Sequence, residues 1–163
     1  MTIKIDSAAI PLPRTASGEL IGEKRIEMRA DLADGKAINC PCCGLTLKVY
    51  ARGIHGRMVS ALAGLLKEPL SPSQLSAMTS GGDAMKLEPW GLIEQHRETG
   101  AWAITSKGIR FLKGEISIPH RALWFDGQVI GFDDSKRIKV SDVRYAGVDL
   151  AGILASWGHT AAA

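Results

Sequence analysis

The chain has no long apolar run. Charge-free stretches such as Val59 to Leu66 and Leu70 up to Asp83 fall well short of the ~20 apolar residues that a membrane-crossing helix requires. No transmembrane segment and no membrane partner are therefore expected. Cysteine is scarce: three residues in 163, all inside Cys40-Pro-Cys-Cys43, which makes a poor disulfide framework and fits a reducing compartment. The start, Met1-Thr-Ile-Lys-Ile-Asp6, sets an acid inside what would have to be the apolar part of a secretory signal, with no small-residue cleavage site behind it. The expected location is the cytoplasm.

Catalytic patterns are missing as well. No nucleophile stands beside an oriented base, no carboxylate and histidine cluster of the metal-nuclease kind occurs, and no glycine loop cradles a phosphate. A hairpin with a polar turn accounts for His120, Arg121, Trp124 and Asp126. No enzyme is expected. Acid is absent from Lys36 to Lys67, where Lys36, Lys48, Arg52, Arg57 and Lys67 stand unopposed, whereas Asp6, Glu19, Glu23, Glu27, Asp31 and Asp34 crowd the first 35 residues. A second basic group, Arg97, Lys107, Arg110 and Lys113 with His96, is opposed only by Glu98. With a net charge of only +3, this uneven distribution says more about partners than the total does.

Hydrophobic residues make up 45% of the chain and charged residues 23%, with a mean hydropathy of +0.03. That composition supports a folded core, and the length suits one full domain or a small domain with an appendage. Residues 1–35 read as a weakly structured lead-in broken by Pro11 and Pro13. Within it, Leu20 to Asp34 fits a glycine-capped helix, and the alternation from Ile26 to Leu32 fits a strand equally well. Residues 36–54 form a cysteine knuckle followed by a short strand pattern at Leu45, Leu47 and Val49.

After Gly56 the pattern becomes helical, with Met58, Leu62, Leu65 and Leu66 spaced by fours and threes. Ser71-Pro-Ser-Gln74 then combines a capping hydroxyl, a proline at the first helical position and a Gln at N3, with Leu70 and Leu75 placed as a hydrophobic staple. The Thr79-Ser-Gly-Gly82 turn delivers a third helical segment, Asp83 to Trp90, with Gly91 at its C-terminal cap. Two helices joined by a glycine-containing turn are a helix-turn-helix candidate. Leu92-Ile93 and Ala101 to Thr105 form a hairpin around a polar loop, and Thr105 caps a helix from Ser106 to Lys113. Asp126-Gly127 is the type I′ pair of a second hairpin. A terminal helix is expected over Val148 to Trp157, so residues 115–163 read as a hairpin and helical extension.

The segments Leu87-Glu-Pro-Trp-Gly-Leu-Ile93 and Trp102-Ala-Ile-Thr-Ser-Lys-Gly-Ile-Arg-Phe-Leu112, in this order of elements, resemble the winged-helix family over about residues 56–114, roughly a third of the chain. More loosely, a Cys-Pro-x-Cys-Gly knuckle ahead of such a domain resembles small winged-helix proteins of tailed phages and prophages. The resemblance implies an α+β fold: a winged helix-turn-helix core over 55–114, an N-terminal cysteine knuckle and a C-terminal β-hairpin extension. It implies a transcription regulator bound to double-stranded DNA. Its contacts would come from the recognition segment, with Ser80 and Lys86, from the wing, with His96 and Arg97, and from the next helix, with Lys107 and Arg110. Pro89 removes a backbone donor near the end of the recognition helix, and few base-reading side chains are present, so backbone contact is expected to dominate. The alternative is a winged-helix protein-interaction module without catalytic activity, binding a host or phage protein. A homodimer is compatible with either.

Cys40 and Cys43 are spaced to chelate one zinc from a tight turn. A structural zinc needs four ligands, and the nearest further candidates are Cys42 and His55, with His96, His120 and His159 more remote. Reduced thiols without metal and a redox pair are the other readings of the same residues.

Overall fold

In the computed structural model the described residues are 10, 20–41, 43–143 and 149–160, with backbone alone at 20–25, 80–81 and 157–160. They form a mixed α+β structure of small antiparallel sheets and short helices. The chain divides into two compact units: Met1–Gly53 with Arg121–Lys136, and Ile54–His120 with Arg137–Ala163. Residues 115–163 thus belong partly to each, because the chain returns after Gly114 to pair with a strand laid down before the helices.

In the first unit, α1 (Leu20–Ala33) resolves the ambiguity of its sequence in favour of helix. It stops at Gly35, whose φ of +78° no β-branched residue would accept, and the amide of Lys36 donates back to the Asp31 carbonyl. Pro11, Pro13 and Cys42 lie outside the described residues. β1 (Ile38–Asn39) and β2 (Thr46–Leu47) pair antiparallel around the knuckle. β3 (Tyr50–Gly53) pairs with β6 (Ile118–Phe125), which is joined to β7 (Gln128–Ile138), giving the order β3-β6-β7 with β3 at an edge. The Asp126-Gly127 turn has φ of +49° and +74°, as a type I′ hairpin requires. Val49, Leu123 and Phe125 meet Leu32 and Ile10 in a buried cluster, with Met28, Ile38 and Ile130 packed against it.

In the second unit, α2 (Gly56–Gly64) buries Met58, Val59, Ala61, Leu62 and Ala63. α3 (Pro72–Ala77) begins with the full capping box: Ser71 Oγ accepts from the Gln74 amide, and Gln74 Oε1 accepts from the Ser71 amide at 2.8 Å. The third helical segment is a 3₁₀ helix throughout, Ser80–Trp90. Gly82 stands at φ +75° near its start, and Pro89 has no amide to donate near its end. Gly91, at φ +69°, ends it. β4 (Ile93–Gln95) and β5 (Trp102–Ile104) form the hairpin in the register Ile93↔Ile104, and α4 (Ser106–Leu112) is capped by Thr105 Oγ1 on the Gly108 amide. After β7 comes a single 3₁₀ turn, Val140–Asp142, and later α5 (Leu150–Thr160). Leu62, Leu75, Leu87, Trp90, Leu92, Phe111 and Leu112 are almost wholly buried.

Candidate nucleic-acid interface

α3, the Thr79–Gly82 turn and the 3₁₀ helix pack together, with α2 against the 3₁₀ helix on one side and β4 on another. The turn is tied by Thr79, only 4% exposed, whose Oγ1 accepts the Ala84 amide at 3.1 Å. Trp90 is anchored by its indole Nε1, which donates to the Pro119 carbonyl at 2.8 Å. Leu70, just before α3, bridges Trp102 with a reciprocal pair of backbone hydrogen bonds of 2.9 and 2.8 Å, extending the hairpin by one residue pair on its β5 side.

The expected phosphate contacts behave differently from one another. Ser80 opens the 3₁₀ helix, and of it only the backbone is described. Lys86 is half-buried and hydrogen bonded to Asp83 through Nζ. That ammonium holds the Asp83 carboxyl below the ordinary aspartate range; burial opposes the shift, and His55, with Nε2 3.5 Å from the other carboxylate oxygen, adds to it. The charge of Lys86 is thus largely spent inside the protein. Lys107 Nζ donates to the Trp90 carbonyl at 2.6 Å, placing a cation at the C-terminal end of the 3₁₀ helix. Arg110 lies 3.6 Å from Glu115 in an exposed pair. His96 and Arg97 stand exposed in the loop between β4 and β5, with the exposed Glu98 in the same loop and the exposed Glu94 on β4. The part played by Asp83 was not drawn from the sequence, although its spacing of three from Lys86 on a helical segment is a readable signal.

Of the expected metal ligands, Cys40 is buried and Cys43 exposed, at the two sides of the knuckle turn. The turn is closed by Cys40 N donating to Leu45 O and Gly44 N donating to Cys40 O, both 2.8 Å, with Gly44 at φ +72°. His55 belongs to the other unit and faces Asp83. Among the described residues no group of three or more His, Cys, Asp and Glu side chains is arranged to hold a metal ion, and no helix is long and apolar enough to cross a membrane. Comparison with family models, curated proteins and solved structures returns no match for the chain.

Proposed function

We propose that the second unit is a winged-helix module that binds double-stranded DNA as a regulator, through backbone phosphates and with little reading of bases. The observation that carries this reading is the Leu70↔Trp102 bridge. It adds a strand-like residue between α2 and α3 to the β4-β5 hairpin, so helices, hairpin and following helix succeed one another as in a winged helix. Arg97 and His96 at the hairpin tip, with Arg110 on α4, are the groups left to meet phosphate, and Lys86 is withdrawn from that set by Asp83. Fold alone does not fix function, so the test is direct. A labelled duplex of mixed sequence is titrated with the protein at ~50 mM salt, where phosphate contacts are strongest. The double variant Arg97→Glu with Arg110→Glu is expected to lose retention while keeping its melting temperature. Absence of binding by the native chain overturns the reading.

The charge compensation at Lys86 and Arg110, and the two acids flanking Arg97 in sequence, favour a second reading: a non-catalytic module that presents the same surface to another protein. Failure to bind duplex DNA at low salt selects it.

A further inference from the structure

Apart from the second unit, one sheet face combines exposed aromatic and cationic side chains. β3 is an edge strand whose register with β6 sets Tyr50 opposite Trp124 and Arg52 opposite Ala122. Val49, Leu123 and Phe125 lie on the side that meets α1, and the register puts Tyr50, Arg52 and Trp124 together on the other, around the fully buried Ala122. Tyr50 is 52% exposed, among the few large apolar side chains left at the surface. Directly opposed residues hold their Cβ atoms about 5 Å apart, so the two rings are neighbours. Trp124 is half-buried, with Nε1 buried and no hydrogen-bond partner.

The adjacent charges differ from those of the second unit. Arg52 is exposed, as is Lys48 just ahead of the strand, and neither takes part in an ion pair among the described residues. The acid that alternation brings to this side of β7 is Asp133, which is buried and accepts hydrogen bonds from the amide and hydroxyl of Ser135. Residues two apart on a strand are about 7 Å apart, so a base resting on Tyr50 leaves a phosphate within reach of Arg52.

We propose that the β3-β6 face carrying Tyr50, Arg52 and Trp124 is a stacking site for single-stranded nucleic acid. Ring surface flanked by unpaired cations matches a strand whose bases are free to stack and whose backbone is anionic. A duplex hides its base faces and gains only the charge. The site lies in the first unit and does not rest on the duplex reading of the second.

The experiment titrates the full chain into fluorescein-labelled oligo(dT) and oligo(U) of about twelve nucleotides at ~50 mM salt, reading anisotropy. Binding is expected to weaken as salt rises. Tyr50→Ala is expected to weaken it about ten-fold, the scale of one stacked base, and Arg52→Glu to weaken it and flatten its salt dependence, while Tyr50→Phe keeps it. Both residues are exposed, and melting temperatures of the variants check folding. The relative affinity for the two oligomers tells DNA from RNA as the favoured strand. The proposal fails if the native chain binds neither oligomer, if Tyr50→Ala and Arg52→Glu bind as tightly as the native chain, or if an unlabelled blunt duplex competes as well as the single strand. Because Arg97→Glu with Arg110→Glu addresses the duplex reading, loss of either activity leaves the other interpretable.

Discussion

Asp83 does at one position what the charge pattern of the whole segment obscures. By holding Lys86 and facing His55 it keeps its own charge and removes a cation from the surface. Its carboxyl titrates below the usual value, so it binds a proton less readily when folded than when unfolded. The resulting stabilisation is present above about pH 4, the ordinary aspartate value, and is lost as pH falls through the depressed folded value. Asp83→Asn is expected to lower stability at pH 7 by about 0.5–1 kcal/mol, the upper part of the range for partly exposed pairs. The difference from the native chain should shrink as pH falls below the ordinary aspartate value and through the depressed folded one; a pH-independent difference would deny the pairing. Two glycines give a sharper contrast. A Cβ on Gly108 would stand 2.2 Å from the Leu92 carbonyl oxygen, a backbone atom with nowhere to go, whereas one on Gly64 meets the end of the flexible Met78 side chain. Gly108→Ala is expected to cost about 1–3 kcal/mol, and Gly64→Ala to be neutral or to gain up to about 1 kcal/mol of helix preference, as read from denaturant midpoints.

Elements were legible where their signals are local. The α3 start was readable because Ser71, Pro72, Gln74 and the flanking leucines all speak within six positions, and the structure contains each hydrogen bond of that cap. Ser71→Ala should therefore lower stability by about 1 kcal/mol, seen as a shifted urea midpoint with an unchanged slope. The Asp126-Gly127 turn and the Thr105 cap were equally readable, whereas the helix expected from Asp83 already begins at Ser80, inside the expected Thr79–Gly82 turn. The 3₁₀ character of the third helical segment is not legible in the sequence, because the period of its apolar residues does not separate a tight helix from an α-helix over so short a span. α1 stayed ambiguous because its burial depends on Leu32 meeting Val49 and Leu123, partners far along the chain. The pairing of β3 with β6 is likewise non-local. The alternation of Lys48 and Tyr50 was visible, but the opposition of Tyr50 to Trp124, which makes a platform of two scattered aromatics, was not. The site residues followed the same rule: Arg97 and His96 could be placed on a loop from the sequence, whereas the hold of Trp90 O on Lys107 requires the helix end to be brought to α4.

At the scale of the molecule, a net charge of +3 is too weak to hold a polyanion by its general field, so any affinity must come from a few discrete contacts. That makes salt dependence a count of those contacts. Each phosphate neutralised contributes about −0.9 to the slope of log K against log salt for a duplex and about −0.7 for a single strand. If Arg97 and Arg110 each meet a phosphate, the double reversal should flatten the duplex slope by about 2 and leave the oligo(dT) slope unchanged. Lys86→Ala, by contrast, should leave the duplex slope unchanged and lower the melting temperature, since its ammonium is engaged with Asp83. A Lys86→Ala variant that flattens the slope by about 1 without losing stability would mean that its ion pair opens to receive DNA, and that the third helical segment lies closer to the duplex than its internal pairing implies.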